Sequence, residues 1–528
     1  MEQQASPAPS YAWQALDLFE KYGADEAIVA GDQRLTYADV RAGSLAVAQA
    51  LLRHGVRPGA GVGVLVGNPP EAATLHLGAH LLGCRTAWIT PDAPDHHRAY
   101  FLRMAEVSAF VYDARSYSVM GADTAAAVPE LSVLCLGPGG AGPDLLVAAD
   151  GPLAAADGPA QALLPGSGSE PQTILQTSGT TDRPKLVHHG PGFYRALLDL
   201  SEEYLDSGEP QLRHLAASWL CHVSGQVAAL ITLCTGGTWY PFDSFDAVGM
   251  LRTIERERIT SVFLTPPQLY RVLDHPVLPT VDTSSLAMLS IGGAAAAPSR
   301  LAQAIQVFGP VVRPVYGATE AAFIAALPNL GSEPSHAGLM SSCGQAYGDT
   351  RIEVRDEQGT VLPPGQPGEV WVAGSLTMLG YWAEQELTSE YVVDGWVRTG
   401  DVGYLDPAGY LFLVDRIKDC IMIGLSTQRA YSRPIEDSLV SHPQVRAAAV
   451  IGVPDELDGE AVYAFVVPVP GARVTADELR QRVATDLVEE WAPQQVEFVD
   501  TLPLVGVGKV DKKALRAHYQ ARVRQAKQ

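Results

Sequence analysis

The stretch ILQTSGTTDRPKLVHH, residues 174–189, carries the densest chemistry of the chain. An apolar, strand-like run leads directly into Thr177, Ser178, Gly179, Thr180 and Thr181, with Lys185 four residues later. Four hydroxyls and a glycine in five residues can offer many donors to phosphate oxygens. Glycine lets backbone N–H groups approach an anion closely, and the lysine adds a cation. The loop is not a Walker A loop, because GxxxxGK[ST] is absent from the chain, and it is not a dinucleotide fingerprint. Standing alone it would read as a Ser/Thr-rich surface turn. It is followed in order by Tyr316-Gly-Ala-Thr-Glu320, Arg398-Thr-Gly-Asp401, Asp415-Arg-Ile-Lys-Asp419 and Gly506-Val-Gly-Lys-Val510.

The elements that must hold these residues alternate between helix and strand. LTYADVRAGSLAVAQALL (35–52) has apolar residues at helical spacing, GVGVLVGN (61–68) reads as a buried strand, and TLHLGAHLLGC (74–84) as a helix. The pattern predicts an α/β domain with a largely parallel sheet. Strand-like runs recur at 261–265, 288–291 and 311–315, each leading into a Gly or Pro turn. Residues 136–171 are rich in Gly, Ala and Pro and read as a loose surface connection. RIEVRD and EVWVAGS, around the turn PPGQPG, predict β-hairpins over 351–375. From about Ile417 a last segment has its own helix, ELRQRVATDLVEEW, and apolar strands, RAAAVIGV and VYAFVV. No internal repeat is visible.

Composition bounds the function. The 528 residues are 47% hydrophobic and 18% charged, which excludes a disordered chain. The net charge of −22 argues against a nucleic-acid partner and against a polybasic membrane anchor. The six cysteines are scattered without a CxxC pair, so neither a zinc ribbon nor a disulfide scaffold is expected. No apolar run approaches the roughly 20 residues of a membrane span, and the start shows no signal-peptide pattern. A cytoplasmic protein is expected, with its oligomeric state open.

Taken together, the five motifs resemble the acyl-adenylate-forming superfamily: acyl-CoA synthetases, peptide-synthetase adenylation domains and luciferases. The resemblance runs from LTYADV (35–40) to GKVDKKALR (508–516). It implies a large N-terminal domain, residues 1–415, of α/β layers with a β-rich subdomain. A small, mobile α+β C-terminal domain, residues 416–528, follows. It also implies a reaction in two halves. A carboxylate attacks the α-phosphorus of ATP, giving acyl-AMP and pyrophosphate; a thiol or an amine then attacks the acyl carbon and AMP leaves. By this resemblance Glu320 binds Mg²⁺, which suits a hard cation held by a carboxylate and substrate phosphates. Thr319 contacts the α-phosphate, and Tyr316 and Gly317 border adenine. Asp401 accepts hydrogen bonds from the ribose hydroxyls, Arg416 also reaches the ribose, and Lys418 is the hinge. Lys509 reaches the carboxylate and α-phosphate during adenylation. Thr177, Ser178, Gly179, Thr180, Thr181 and Lys185 serve the phosphates. Gly292 and Gly293, with Ala294, form the turn bordering adenine and the acyl group, and His222, in CHVSG, lines the acyl site. Trp396 and Tyr404 read as core residues rather than ligands, and Asp419 as structural.

Two places depart from the family pattern. The loop reads TSGTTD instead of TSGTTG, placing Asp182 beside the phosphates. At ~4 Å and an effective dielectric of ~20, such a like-charge contact costs several kcal/mol unless Arg183 pairs with it. After Lys418 the turn CIMIGLSTQRAYSRPIED lacks the usual second glycine, with Arg429 where Asn is typical, Ser432 for Pro and Pro434 for Glu. That turn borders the CoA route in acyl-CoA synthetases, so the acceptor stays open. Three readings stand: an acid–CoA ligase using ATP, Mg²⁺ and CoA; an amide synthetase passing the acyl group to an amine; and a ligase that adenylates poorly and makes thioester from supplied acyl-AMP. The carboxylic acid itself is not legible.

Overall fold

The computed structural model describes residues 10–148, 151–152, 169–177, 185–330, 338–423, 428–455, 459–505 and 509–526. The helix at the start of the motif region runs Tyr37–Arg53 rather than from Leu35. Thr36 ends a short strand and caps the helix, exchanging hydrogen bonds with Asp39 in a capping box, so the helical period starts one residue after it.

Two sheets dominate the N-terminal part. The first has seven strands, in the spatial order 380–381, 186–189, 172–176, 85–88, 61–65, 109–113 and 132–136. The second has nine, ordered 345–346, 321–326, 312–318, 288–291, 261–264, 213–216, 238–241, 26–30 and 33–36. Their central strands pair in parallel, as the buried apolar runs imply, and antiparallel strands lie at the margins. One continuous core joins both sheets through the helices Tyr11–Tyr22, Tyr37–Arg53, Pro70–Leu81, Pro191–Asp206 and Val223–Cys234, with Trp88 and Trp239 fully buried in it. Helices 247–257, 266–273 and 298–308 cover the outer face of the larger sheet; 95–104 and 118–127 cover that of the smaller. The result is five layers, helix and sheet in alternation.

The expected hairpin forms: Arg351–Arg355 pairs antiparallel with Gly368–Ala373. That sheet adds Trp396–Leu405 and Leu411–Arg416, and so carries both Asp401 and Arg416. Trp396 lies under the guanidinium groups of Arg351 and Arg355, and Tyr404 stacks on Phe412, so both serve the sheet's surface rather than a deep core.

The smaller C-terminal part pairs Val445–Asp455 antiparallel with Gly459–Pro468, which pairs in parallel with Gln495–Phe498. Its own core gathers Ile421, Ile435, Leu439, Val450, Leu479 and Val483. The helix expected over 478–491 ends at Asp486, because Leu487 has φ −123 and ψ −108, and a short 3-10 turn, Glu489–Trp491, follows. The connection expected to be loose is packed in its first part: Cys135 exchanges backbone hydrogen bonds with Pro143 and Leu145, and Leu145 is fully buried. All six cysteines are free thiols. Among the described residues no helix is long and apolar enough to cross a membrane.

Candidate active site

Antiparallel strands Gln172–Gln176 and Leu186–His189 carry the Ser/Thr-rich loop at their open end. The Thr177 N–H donates to the Lys185 carbonyl at 3.1 Å, closing that loop at its base. Ser178, Gly179, Thr180, Thr181, Asp182 and Arg183 lie outside the described residues. The Lys185 ammonium sits 4.8 Å from the ring centroid of Tyr381 and 4.0 Å from that of Tyr391.

The same hairpin reaches the YGATE segment through His189, whose Nε2 meets the Thr319 carbonyl at 2.8 Å. A carbonyl only accepts, so Nε2 carries the proton. Burial pushes the His189 pKa down to about 4, which keeps the ring neutral in this role. Glu320 follows Thr319, and its Oε1 accepts from the Tyr381 hydroxyl at 3.0 Å. Among the described residues no group of three or more His, Cys, Asp or Glu could hold a metal ion. A lone carboxylate fits a cation that arrives with substrate phosphates rather than one caged by protein.

Asp401 is a hub. In the hairpin of Trp396–Leu405 and Leu411–Arg416 it stands opposite Arg416, and its Oδ1 pairs with Arg416 Nε at 2.9 Å. Its Oδ2 accepts from the Tyr316 hydroxyl, 85 residues away in sequence, at 2.5 Å. Burial and the Asp401 charge raise the Tyr316 pKa, so the phenol stays a donor. Asp401 is 5% exposed, and its charge raises the Arg416 pKa. The two carboxylate oxygens, held by one phenol and one guanidinium that donate to them, make a fixed acceptor pair suited to a vicinal diol.

A cleft of about 1480 Å³ opens between the large and small parts. Gly293, Ala294, Tyr316, Gly317, Asp401, Arg416 and Lys418 line it. Thr177, Lys185, Thr319, Glu320, Gly292 and His222 do not. Gly292 supports the turn instead, since a Cβ there would lie 2.8 Å from Val315 Cγ2, and Gly293 takes φ +81. A Cβ on Gly317 would meet the Ala322 carbonyl oxygen at 2.1 Å, so only glycine fits there. His222 is the N-cap of helix Val223–Cys234 and lies parallel to Trp219, ring centroids 6.4 Å apart.

The segment around Lys418 is tied down by contacts that the motifs do not announce. Asp415 accepts from the Ser432 N–H and, at 3.1 Å, from the Ser432 hydroxyl. Lys512 donates to the same hydroxyl and pairs with Glu436 at 2.9 Å. Asp419 pairs with Arg516 at 3.1 Å. Burial lowers the Lys418 pKa. Arg429, at the altered turn, reaches Glu357 at 2.6 Å. Lys509 begins a two-residue strand opposite Val505. The chain has only seven lysines: Lys418, Lys512 and Lys513 line the cleft, Lys185 and Lys509 stand in the motifs, Lys21 lies apart from both, and Lys527 is outside the described residues.

Sequence reasoning missed Tyr381, Ser432 and Lys512. Ser432 was noted only as a departure. Tyr381 had no signal beyond an aromatic after Gly380 in a short strand.

Comparison with known proteins places this geometry. The model of the AMP-binding enzymes matches residues 14–382, and that of the AMP-binding enzyme C-terminal domain matches residues 434–509. A medium/long-chain-fatty-acid–CoA ligase of Mycobacterium tuberculosis, FadD8, is 34% identical over 507 residues, 93% of this chain and 86% of that protein. A feruloyl-CoA synthase of an Amycolatopsis species is 37% identical over 351 residues, 66% of this chain and 69% of that protein. The amide bond synthetase McbA of Marinactinospora thermotolerans has a structure that superposes with TM-score 0.85 at 36% identity, covering 96% of this chain and 100% of that one.

Proposed function

The chain belongs to the AMP-binding enzyme family, and from that membership we propose that it is an acid–CoA ligase. It would activate a carboxylic acid with ATP as acyl-AMP and pass the acyl group to CoA. The observation that carries the nucleotide half is Asp401, held by Tyr316 and Arg416 on the wall of the cleft. CoA as acceptor is supported by the relatives with CoA-ligase names that cover most of the chain. In this reading Asp401 and Arg416 grip the ribose, and Gly293, Ala294, Tyr316 and Gly317 border the adenine. The loop Thr177–Thr181 and Lys185 hold the phosphates, and Thr319 contacts the α-phosphate. Glu320 would hold Mg²⁺, which supplies charge neutralisation at the phosphates. Gly292 shapes the turn beside the acyl group, and His222 lines the acyl site. Lys509 stabilises the charge that builds during adenylation. We place the division between domains at 415/416, with Lys418 as hinge and Arg416 still paired to Asp401 at the seam. The site of action is the cytoplasm.

A second reading, amide synthesis, is favoured by the close superposition on McbA and by the altered turn after Lys418. The test is pyrophosphate release from ATP with aryl, fatty and terpenoid acids, first without acceptor. Acid-dependent release, followed by AMP release only when CoA is added, is the expected outcome. Turnover that ignores CoA and consumes amine would select amide synthesis instead. No release with any acid, from protein that binds AMP, would leave a thioester-forming protein fed with acyl-AMP.

Two variants sharpen the outcome. Lys509→Ala should lower acid-dependent pyrophosphate release about a hundredfold and leave thioester formation from supplied acyl-AMP far less affected. Equal losses in both halves would remove Lys509 from adenylation. Asp182→Gly should raise pyrophosphate release if its charge opposes the phosphates; an unchanged rate would mean that it does not.

A further inference from the structure

Lys185 and Glu320, a cation and an anion in one site, are not joined to each other but to a common residue. The Tyr381 hydroxyl donates to Glu320 Oε1 at 3.0 Å. The Tyr381 ring lies 4.8 Å from the Lys185 ammonium, and the Tyr391 ring lies 4.0 Å from it. The two rings stand at 83°, with centroids 5.6 Å apart, and form a corner around the cation. Tyr381 is 4% exposed, and burial next to Glu320 raises its pKa, so its hydroxyl stays protonated.

The backbone places this residue from both sides. Tyr381 stands opposite Val187 at the edge of the smaller sheet, beside the hairpin that carries Lys185. Met378, three residues before it, donates its N–H to the Glu320 carbonyl at 2.8 Å. One short strand thus registers the phosphate loop against the YGATE segment.

We infer that Tyr381 is a positioning residue with two separable jobs. Its hydroxyl orients the Glu320 carboxylate by occupying Oε1, which leaves Oε2 to face a cation. Its ring, with that of Tyr391, holds the Lys185 ammonium by cation–π attraction and keeps it from neutralising Glu320. The carboxylate stays free for a metal and the ammonium stays free for a phosphate. This inference rests on the nucleotide-binding reading above.

The two jobs separate by substitution. Tyr381→Phe removes the hydroxyl and keeps the ring; Tyr391→Leu removes one wall of the corner and keeps the hydroxyl. Calorimetric titration with ATP, with and without Mg²⁺, reads both, after melting curves show that each variant is folded. In Tyr381→Phe the gain that Mg²⁺ confers on ATP affinity should fall about tenfold, the loss of one charged hydrogen bond, well beyond any change in affinity for ATP alone. Glu320→Gln should lose the same gain, and combining the two should add little. Tyr391→Leu should weaken ATP binding by the same factor with and without Mg²⁺. An undiminished Mg²⁺ gain in Tyr381→Phe would overturn the positioning role while leaving nucleotide binding intact. If the parent protein bound no ATP under either condition, the nucleotide reading and this inference would fall together.

Discussion

Replacing Asp401 by alanine should lower kcat/KM for acid-dependent pyrophosphate release by about a thousandfold, roughly 4 kcal/mol of lost transition-state stabilisation. Two effects combine. The diol loses its bidentate acceptor, and the two groups that hold Asp401 lose their partner. Tyr316 donates to one oxygen and Arg416 pairs with the other, so both would turn elsewhere in the cleft. Arg416 is paired with Asp401 at 2.9 Å and stands opposite it in the strand register. A freed guanidinium next to ATP would seek the phosphates, which adds misplacement to lost affinity. Asp401→Asn separates the contributions, because it keeps an acceptor for Tyr316 but not the charge that fixes Arg416. Its loss should fall between wild type and Asp401→Ala. If Asp401→Ala and Asp401→Asn both turned over normally, the ribose assignment would be wrong.

Acid should destabilise this protein from about pH 6.5 downward. His76, His189 and His214 are buried, and burial pushes their pKa values down to about 3, 4 and 4. His80, packed against His76, is lowered as well, by burial first and then by His76. The sign follows from proton counting. These rings are neutral in the fold, whereas the unfolded chain binds a proton on each below the ordinary value of 6.5. Stability is therefore fully present above about pH 6.5 and is lost as pH falls towards the folded values. At pH 5 each such histidine costs about 2 kcal/mol, and three of them approach the stability of a whole domain. Denaturant unfolding at pH 7.5, 6.5 and 5 measures this directly. His214→Asn, which can keep the contact with Ser261, should flatten the decline between pH 6.5 and 5. A midpoint that stays level down to pH 5 would show that the buried rings are protonated in the fold.

How much of this was legible in the sequence depends on distance along the chain. The helix from Tyr37, the strands near 61–65, 172–176, 261–264, 288–291 and 312–318, and the hairpin over 351–373 followed local period and turn chemistry. Boundaries shifted where a single residue decided, as with the Thr36 cap and the break at Leu487. The motifs named Tyr316, Asp401 and Arg416, but no periodicity says that a phenol 85 residues upstream closes on that carboxylate. The meeting of Ser432 with Lys512 is not legible for the same reason: the two lie 80 residues apart and are common residue types. Tyr381 stands in a two-residue strand, too short for any pattern to announce it. His222 was expected on the acyl wall, and what the structure shows of it is a helix cap beside Trp219.

The scarcity of lysine has a chemical consequence. An acyl-adenylate is a mixed anhydride, and the protein nucleophile it most readily acylates is an unprotonated amine. Of the seven lysines, five belong to the cleft or its motifs, and the outer positive charge is carried almost wholly by arginine. Guanidinium groups stay protonated at any working pH and do not acylate. A protein that builds such an anhydride therefore offers an escaping molecule little to damage on its own surface. Self-modification, when it occurs, is steered to the few amines of the cleft and its motifs.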